Sequence, residues 1–286
     1  MRLLTWNVQG LGGPLFRRYR GRLRQDLHRD FTGGSIDILL IQEHHLNVER
    51  ISEYGTFFPG NWEMFWSEAY GPYASKGGVC ISVAEHWKSL ILHKEVLVQG
   101  RAQCVLLQLE GEVWGVLNIY APNQASNRKK FWIDIYNKIP QANHWCVGGD
   151  FNMLEDPADR TGGNVRTIRG SELDAWERLT LKLGVHDVWY LHSVCKIPGS
   201  LCFSRSNRRL SNVEASSEED DSQINAANGR GEINESRIDR FYVSALLADR
   251  GGEITIMANT TMSDHRPVVL TINSKRALKA VCLRIP

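Results

Sequence analysis

Short apolar runs recur along the chain, and glycine, proline or polar residues bound most of them. Runs of this length with such boundaries are typical of buried β-strands. The pattern predicts strands at residues 3–8, 36–41, 62–66, 78–83, 96–98, 102–109, 113–120, 144–147, 237–244, 253–258 and 268–272.

Three other segments carry apolar residues at helical spacing. Residues 16–31, 126–138 and 171–183 show this period, which predicts amphipathic helices, the second with Ser126 as its N-cap. Because strands and helices alternate without a linker, we predict a single α/β domain over residues 1–274. Residues 275–286 then form a C-terminal tail.

One internal segment breaks this alternation. Residues 211–236 are rich in Ser, Glu, Asp, Asn and Gly and contain almost no large apolar side chains, which predicts a disordered insert. Its seven acidic residues against Arg230 give a charge of −6, so the rest of the chain, whose total is +2, carries +8. A basic body with one acidic segment is compatible with a polyanionic binding partner.

The composition and the first residues of the chain indicate the cellular compartment in which we expect the protein to work. No window approaches the roughly 18 apolar residues of a membrane span, so we expect no membrane contact. The chain enters its first strand directly, without the basic and apolar regions of a secretory signal. The six cysteines form no C-x-x-C pair, which favours reduced, buried thiols in an intracellular protein.

The glycines at the end of the first strand allow two interpretations. They could cradle a dinucleotide, or they could turn the chain so that Asn7 is presented for chemistry. A dinucleotide loop needs the spacing G-x-G-x-x-G, and the third glycine is missing after Gly10. We therefore favour a site at Asn7.

Polar side chains also stand at the ends of other predicted strands. Five strands deliver an amide, a carboxylate, a phenol or an imidazole where the backbone turns, at Asn7, Glu43, Tyr120, Asp150 with Asn152, and Asp264 with His265. Carboxylate and amide oxygens suit Mg²⁺ or Mn²⁺ better than zinc. A carboxylate-rich site with one histidine suits phosphoryl transfer to water.

Six segments, in chain order, resemble the motifs of the endonuclease/exonuclease/phosphatase superfamily, to which the DNase I-like nucleases belong. They read "TWNVQG", "LLIQEHHL", "LNIYAPN", "VGGDFN", "SRIDRFYVS" and "MSDHRPV". Their wording is most similar to the endonuclease domain of LINE-type (non-LTR) retrotransposons. The resemblance implies a four-layered α/β sandwich, with two packed mixed β-sheets flanked by helices.

The resemblance also implies roles for single residues. Glu43 would be the principal metal ligand, with Asn7 and Asp264 beside the metal. Asp150 would activate water with Asn152 as its partner, while Asp239 would orient His265 toward the phosphoryl oxygen. Tyr120 would lie near the scissile phosphate. In apurinic repair endonucleases a carboxylate commonly stands where this chain has Gln9.

Weaker signals concern the substrate. Arg128 and Lys129 follow the loop after Tyr120, and Arg205 and Arg208 lie where related nucleases place a DNA-probing loop. We expect these four cations to contact DNA phosphates. Of the adjacent His44 and His45, at most one can reach the site, because neighbouring side chains of a strand point apart.

The function that the resemblance implies is a Mg²⁺- or Mn²⁺-dependent endonuclease that nicks one strand of double-stranded DNA and leaves a 3′-hydroxyl and a 5′-phosphate. Such a domain would act in the nucleus beside a reverse transcriptase of its parent polyprotein. Three alternatives stay open. They are a phosphatase or phosphodiesterase acting on inositol phosphates or phospholipids, an apurinic repair nuclease, and a non-catalytic nucleic-acid-binding derivative.

Overall fold

The structure, a computed structural model, describes residues 1–11, 36–54, 62–71, 76–162, 165–196, 202–206, 234–257 and 263–273. The helix predicted at 16–31, Arg208, nearly all of the acidic insert and the tail predicted at 275–286 lie outside the described residues.

The described chain contains sixteen strands and four α-helices. The strands are β1 (Arg2–Asn7), β2 (Ile38–Gln42), β3 (Glu63–Ser67), β4 (Val79–Val83), β5 (Ile91–Val98), β6 (Ala102–Leu109), β7 (Glu112–Tyr120), β8 (His144–Asp150), β9 (Arg160–Thr161), β10 (Val185–Asp187), β11 (Val194–Lys196), β12 (Arg205–Ser206), β13 (Glu235–Ser236), β14 (Asp239–Ser244), β15 (Gly252–Ile256) and β16 (Val268–Ile272). The helices are α1 (Val48–Tyr54), α2 (Ala125–Lys138), α3 (Gly170–Leu183) and α4 (Ala245–Asp249).

Two mixed sheets form the centre of the fold. The first has the order β11-β15-β16-β1-β2-β4-β3, and the second has the order β10-β14-β8-β7-β6-β5. In each sheet most neighbours are antiparallel, but β1 pairs with β2, β11 with β15, and β7 with β8, in parallel. A small third sheet, β12-β13-β9, lies at one end. The predicted α/β sandwich is confirmed.

Strand alternation divides the apolar residues into layers. Leu3, Leu40 and Phe241, drawn from both sheets, belong to one buried cluster between them. On the outer face of the second sheet, Trp132 of α2 and Trp176 of α3 stack with ring centroids 4.8 Å apart. Burial of such large side chains contributes about 1.5–3 kcal/mol each.

The same alternation carries polar residues to one edge of the sandwich. In β1, Leu3 and Thr5 face the other sheet. Because side chains alternate along a strand, Asn7 faces it too. Equivalent rows in β2, β7, β8 and β14 converge on the same edge. The inward rows end in Asn7, Gln42, Tyr120, Asp150 and Asp239, all at most 7% exposed. We call this edge the polar rim.

Several predicted boundaries differ from the structure. The strand predicted at 96–98 is eight residues long in β5, because this exposed edge strand carries polar residues on both faces and gives no apolar run. The predicted acidic insert overlaps β13 at its end, where Glu235 and Ser236 pair with β12. The cap of α2 is Gln124 rather than Ser126.

Gly149 precedes Asp150 in β8, and its backbone conformation and surroundings leave no room for a side chain. Its φ is 148°, and a Cβ there would stand 1.9 Å from the Ile119 carbonyl oxygen. We expect Gly149→Ala to lower the free energy of unfolding by about 2–4 kcal/mol, measured by urea titration. The control is Gly184→Ala, which also has a positive φ, of 62°, but open space around it. An equal loss in both variants would contradict the steric explanation.

Two further predictions can be compared with the described residues. None of the helices that the structure describes is long and apolar enough to cross a membrane. Cys80, Cys104 and Cys146 are free and buried, as predicted, whereas Cys202 is free and exposed.

Candidate active site

Asn7 joins the two sheets at the centre of the polar rim. Its Nδ2 atom donates to Glu43 Oε1 and to Asp150 Oδ2, both at 3.0 Å. Its Oδ1 atom accepts a hydrogen bond from the Gln9 backbone N–H at 3.1 Å. The amide is fully buried, and it holds two carboxylates from different sheets near one another.

Glu43 reaches the rim through a backbone distortion. It follows Gln42 in β2, so regular alternation would direct its side chain outward, but its φ of 54° turns it toward Asn7. Burial raises the pKa of Glu43, yet hydrogen bonds from His45, Tyr120 and Asn7 outweigh burial and hold the pKa at about 2. The residue is therefore a carboxylate at neutral pH.

Asp150 accepts hydrogen bonds on both of its oxygens. Asn152 donates to it from the backbone N–H at 2.9 Å and from Nδ2 at 3.3 Å. Asn152 has a φ of 49°, a strained value that folds the loop back over the carboxylate. Burial, followed by the charge of Asp239, raises the pKa of Asp150 above its usual range.

His265 and Asp239 form a buried ion pair across from Asp150. His265 Nδ1 lies 2.8 and 3.0 Å from the two carboxylate oxygens of Asp239, which leaves Nε2 to face the rim. Burial by itself lowers the pKa of His265. The negative charge of Asp239 and its hydrogen bond raise the pKa by more than burial lowers it, so that it is about 9. His265 is therefore an imidazolium at neutral pH.

The residues present fit a hard divalent cation. Glu43 is ionised, and its side chain is 20% exposed beside the amide of Asn7. A second cluster, Asp150, Asp239 and His265, has ligand atoms within 4.8 Å of one another. Because Asp239 uses both oxygens on His265, this cluster is better suited to proton transfer than to holding an ion.

Asp264 is held by two side chains that no motif predicts as its partners. Gln9 Nε2 donates to its Oδ1 atom, and Arg205 Nε donates to its Oδ2 atom at 3.0 Å. His265 Nε2 lies 3.6 Å from Oδ1. Arg205 thus compensates the charge of Asp264, and Gln9 connects this carboxylate to β1.

Tyr120 donates a hydrogen bond to Glu43, and burial raises the pKa of its phenol, so it stays protonated. The Arg101 guanidinium stacks over its ring at 4.4 Å and also bonds Tyr70 Oη at 2.6 Å. Sequence reasoning missed Arg101, and no sequence signal marks it, because the contact depends on the pairing of β6 with β7.

Two predicted substrate contacts lie in different settings. Lys129 is exposed near the N-terminus of α2. Arg128 is only 8% exposed, because it pairs with Glu172 and donates to the Asn152 carbonyl at 2.9 Å. In this structure the guanidinium of Arg128 braces the loop of Asn152, so its contact with DNA stays a prediction.

A buried polar network that joins Gln42 of the rim to Asn118 was also missed. Gln42 Nε2 donates to Asn118 Oδ1 at 2.6 Å, and Asn118 donates to backbone carbonyls of the first sheet. Each residue lies two positions or fewer before a predicted site residue, so strand alternation could have placed both inward. His44 is also structural: burial lowers its pKa to about 4, and it contacts the Ser67 carbonyl at 3.1 Å. Only His45 reaches Glu43.

Two packed mixed sheets, with carboxylates, amides and one ion-paired histidine at their common edge, define an α/β sandwich of the DNase I-like class. The sequence model of the Endonuclease/Exonuclease/phosphatase family matches residues 4–265, so the chain belongs to this family of nucleases and phosphatases.

Individual relatives support the same placement. The chain is 24% identical over 277 residues to the transposon TX1 uncharacterized 149 kDa protein of Xenopus laevis. The aligned region covers 94% of this chain and 18% of that protein. The chain therefore spans less than a fifth of this relative.

Solved structures show the fold. An AP endonuclease of Leishmania major superposes with a TM-score of 0.66 at 16% identity, covering 96% of this chain and 87% of that one. The endonuclease domain of TRAS1, a telomere-specific non-LTR retrotransposon, superposes with a TM-score of 0.54 at 13% identity, covering 96% and 99%.

Proposed function

We propose that this protein is a divalent-metal-dependent endonuclease that nicks one strand of duplex DNA and leaves a 3′-hydroxyl and a 5′-phosphate. The observation that carries the proposal is the joint geometry of Asp150 and His265. A base held by two asparagines faces an imidazolium held by a carboxylate. The likeness to the TX1 transposon protein and the fold of the TRAS1 endonuclease support DNA as substrate.

Asp150 supplies the base in this proposal. Three N–H groups, one from Asn7 and two from Asn152, fix its orientation. Its raised pKa brings its basicity closer to neutral pH, where a general base is most effective. It can therefore accept a proton from the attacking water.

His265 supplies the electrophilic partner. Since Asp239 occupies Nδ1, the Nε2–H, which lies 3.6 Å from Asp264 Oδ1, is the group that can donate to a non-bridging phosphoryl oxygen as negative charge grows on it. Glu43 would hold the metal and Asn7 would lie beside it, and the metal would neutralise phosphoryl charge and lower the pKa of a water molecule. Tyr120 and Asn7 keep Glu43 oriented for this role.

The direct test is the nicking of supercoiled plasmid in the presence of Mg²⁺. We expect the wild type to convert it to open circles, and Asp150→Ala and His265→Ala to be inactive. DNA ligase should reseal the nicks, because it requires a 3′-hydroxyl and a 5′-phosphate. A wild type that leaves the plasmid intact while releasing phosphate from inositol phosphates would refute the proposal. A wild type that binds DNA without cutting it would refute it as well.

The nicking rate should depend on pH as a bell-shaped curve. Activity needs His265 protonated, so it should fall as the pH rises through about 9. It also needs Asp150 deprotonated, so it should fall as the pH drops below the raised pKa of this carboxyl. Initial rates at saturating metal, measured across this pH range, give the two limbs. A rate that still rises above pH 9 would contradict the assignment of His265.

A further inference from the structure

A cavity of about 630 Å³ opens beside Asn152, which donates a hydrogen bond to Asp150 of the polar rim. Asn152 itself lines the cavity, together with the first turns of α2 and α3 and with Arg205. The cavity therefore continues directly from the candidate active site. We call it the basic cavity.

Four cations give the basic cavity its charge. Lys129, Arg160, Arg166 and Arg169 all line it, and none of them has a carboxylate partner within 4.0 Å among the described residues. The other charged residues of the lining are compensated. Arg128 pairs with Glu172, and Arg205 pairs with Asp264. Four uncompensated positive charges thus meet in one cavity of a chain whose net charge is only +2.

A buried ion-pair network fixes the wall that carries Arg160. Asp159 precedes Arg160 in the chain and is 2% exposed. Its carboxylate forms ion pairs with Arg237 and Arg240, each at 2.7 Å. Both arginines flank Asp239 in the chain. The position of Arg160 is therefore coupled rigidly to the strand that carries the partner of His265.

The lining favours phosphate over a nucleobase. None of the cavity-lining residues that the structure describes is aromatic, so no ring is present on which a base could stack. Hydrogen-bond donors such as Ser126, Thr167 and Ser171 alternate with the cations. Both helices begin at this cavity without a side-chain cap, and their first-turn amides add positive potential.

We propose that the basic cavity binds a backbone phosphate of the DNA strand next to the scissile one, and so selects a polynucleotide over a small phosphomonoester. This inference rests on the proposed function, which places the scissile phosphate between Asp150 and His265. Because a strand carries one phosphate per nucleotide, a bound strand that leaves the rim beside Asn152 brings its next phosphate to these cations.

The test measures DNA binding rather than cleavage. Asp150→Asn protein, which lacks the base, is titrated with a labelled duplex at several salt concentrations. In this background we expect Arg166→Gln with Arg169→Gln to weaken binding about tenfold and to lower the slope of log K against log salt by about one, because one phosphate contact is lost. We expect Lys129→Gln, which removes one of the cations around the same phosphate, to lower the slope by no more than about one.

Control variants remove charge outside the cavity, one at a time for comparison with Lys129→Gln and both together for comparison with the double arginine variant. Lys130→Gln lies next to Lys129 on α2, and Arg178→Gln lies on α3, and both side chains are exposed outside the cavity. These controls should bind DNA as the parent does. Thermal melting checks that every variant is folded. Equal weakening in controls and cavity variants would overturn the inference, since general charge would then explain the effect.

Replacing one charged phosphate of the DNA by an uncharged methylphosphonate identifies the phosphate that the basic cavity binds. Duplexes with one methylphosphonate, placed on either side of the scissile position, should weaken binding of the parent at one placement only. The double arginine variant should be insensitive to that placement. If neither placement weakens binding, or if the variant stays sensitive, the cavity does not hold that phosphate. Because binding is the readout, wild type that fails to nick DNA refutes the proposed function while these results still decide the inference.

Discussion

Asp239→Asn is expected to lower the nicking rate by on the order of 10³-fold while leaving the protein folded. Asp239 is 1% exposed, and both of its carboxylate oxygens lie within hydrogen-bond distance of His265 Nδ1. Its carboxylate keeps the imidazole protonated and turned so that Nε2 faces the rim. An asparagine is similar in size but carries no charge, so the imidazolium loses the interaction that raises its pKa.

A pH profile separates this electrostatic role from a structural one. In the wild type, the alkaline limb should lie near the His265 pKa of about 9. In Asp239→Asn it should move toward the ordinary histidine pKa of about 6.5. Asp249→Asn, on the exposed side of α4, is the matched control and should change neither the rate nor the profile. A rate loss without movement of the alkaline limb would show that Asp239 only supports packing.

Glu43→Gln is expected to raise the metal concentration needed for half-maximal nicking by on the order of a hundredfold. Glu43 carries a full negative charge at neutral pH, because its pKa is held at about 2. Glutamine retains the acceptor for Asn7 but removes the charge that favours a divalent cation. Most of the lost activity should return at high Mg²⁺ or Mn²⁺ concentration.

Nicking at graded metal concentrations measures this shift. Glu49→Gln removes the same charge from the first turn of α1 and should leave the metal requirement unchanged. Isothermal titration of metal into each variant gives a second readout that does not depend on cleavage. If Glu43→Gln needed no more metal than the wild type, Glu43 would not be a principal ligand, and the cluster of Asp150, Asp239 and His265 would become the better candidate.

The positions of the two sheets and of most strands could be predicted from the sequence. β6 and β16 match the predicted ranges fully, because long apolar runs between turn residues have few alternatives to a buried strand. β5 could not be placed in full, since its residues stay half-exposed at a sheet edge. Edge strands depend on a neighbour for their hydrogen bonds, and no local pattern records that neighbour.

The polar rim was also readable in part. Chemical type and strand-end position marked Asn7, Glu43, Asp150 and His265, and the structure brings them together at one edge. What each side chain contacts was not readable. Glu43 depends on a positive φ to turn inward, a backbone state that sequence periodicity does not encode.

Charged residues show most clearly what only tertiary structure decided. Arg128 and Lys129 are neighbours on α2, yet one is buried against Glu172 and the other is exposed in the basic cavity. Asp264 meets Gln9 from the opposite end of the chain. Patterns of apolar and polar residues report which elements form and which face is buried, because those choices are local. The partner of a charged side chain is set by packing between elements far apart in sequence, and the basic cavity exists only once α2, α3 and β9 have assembled.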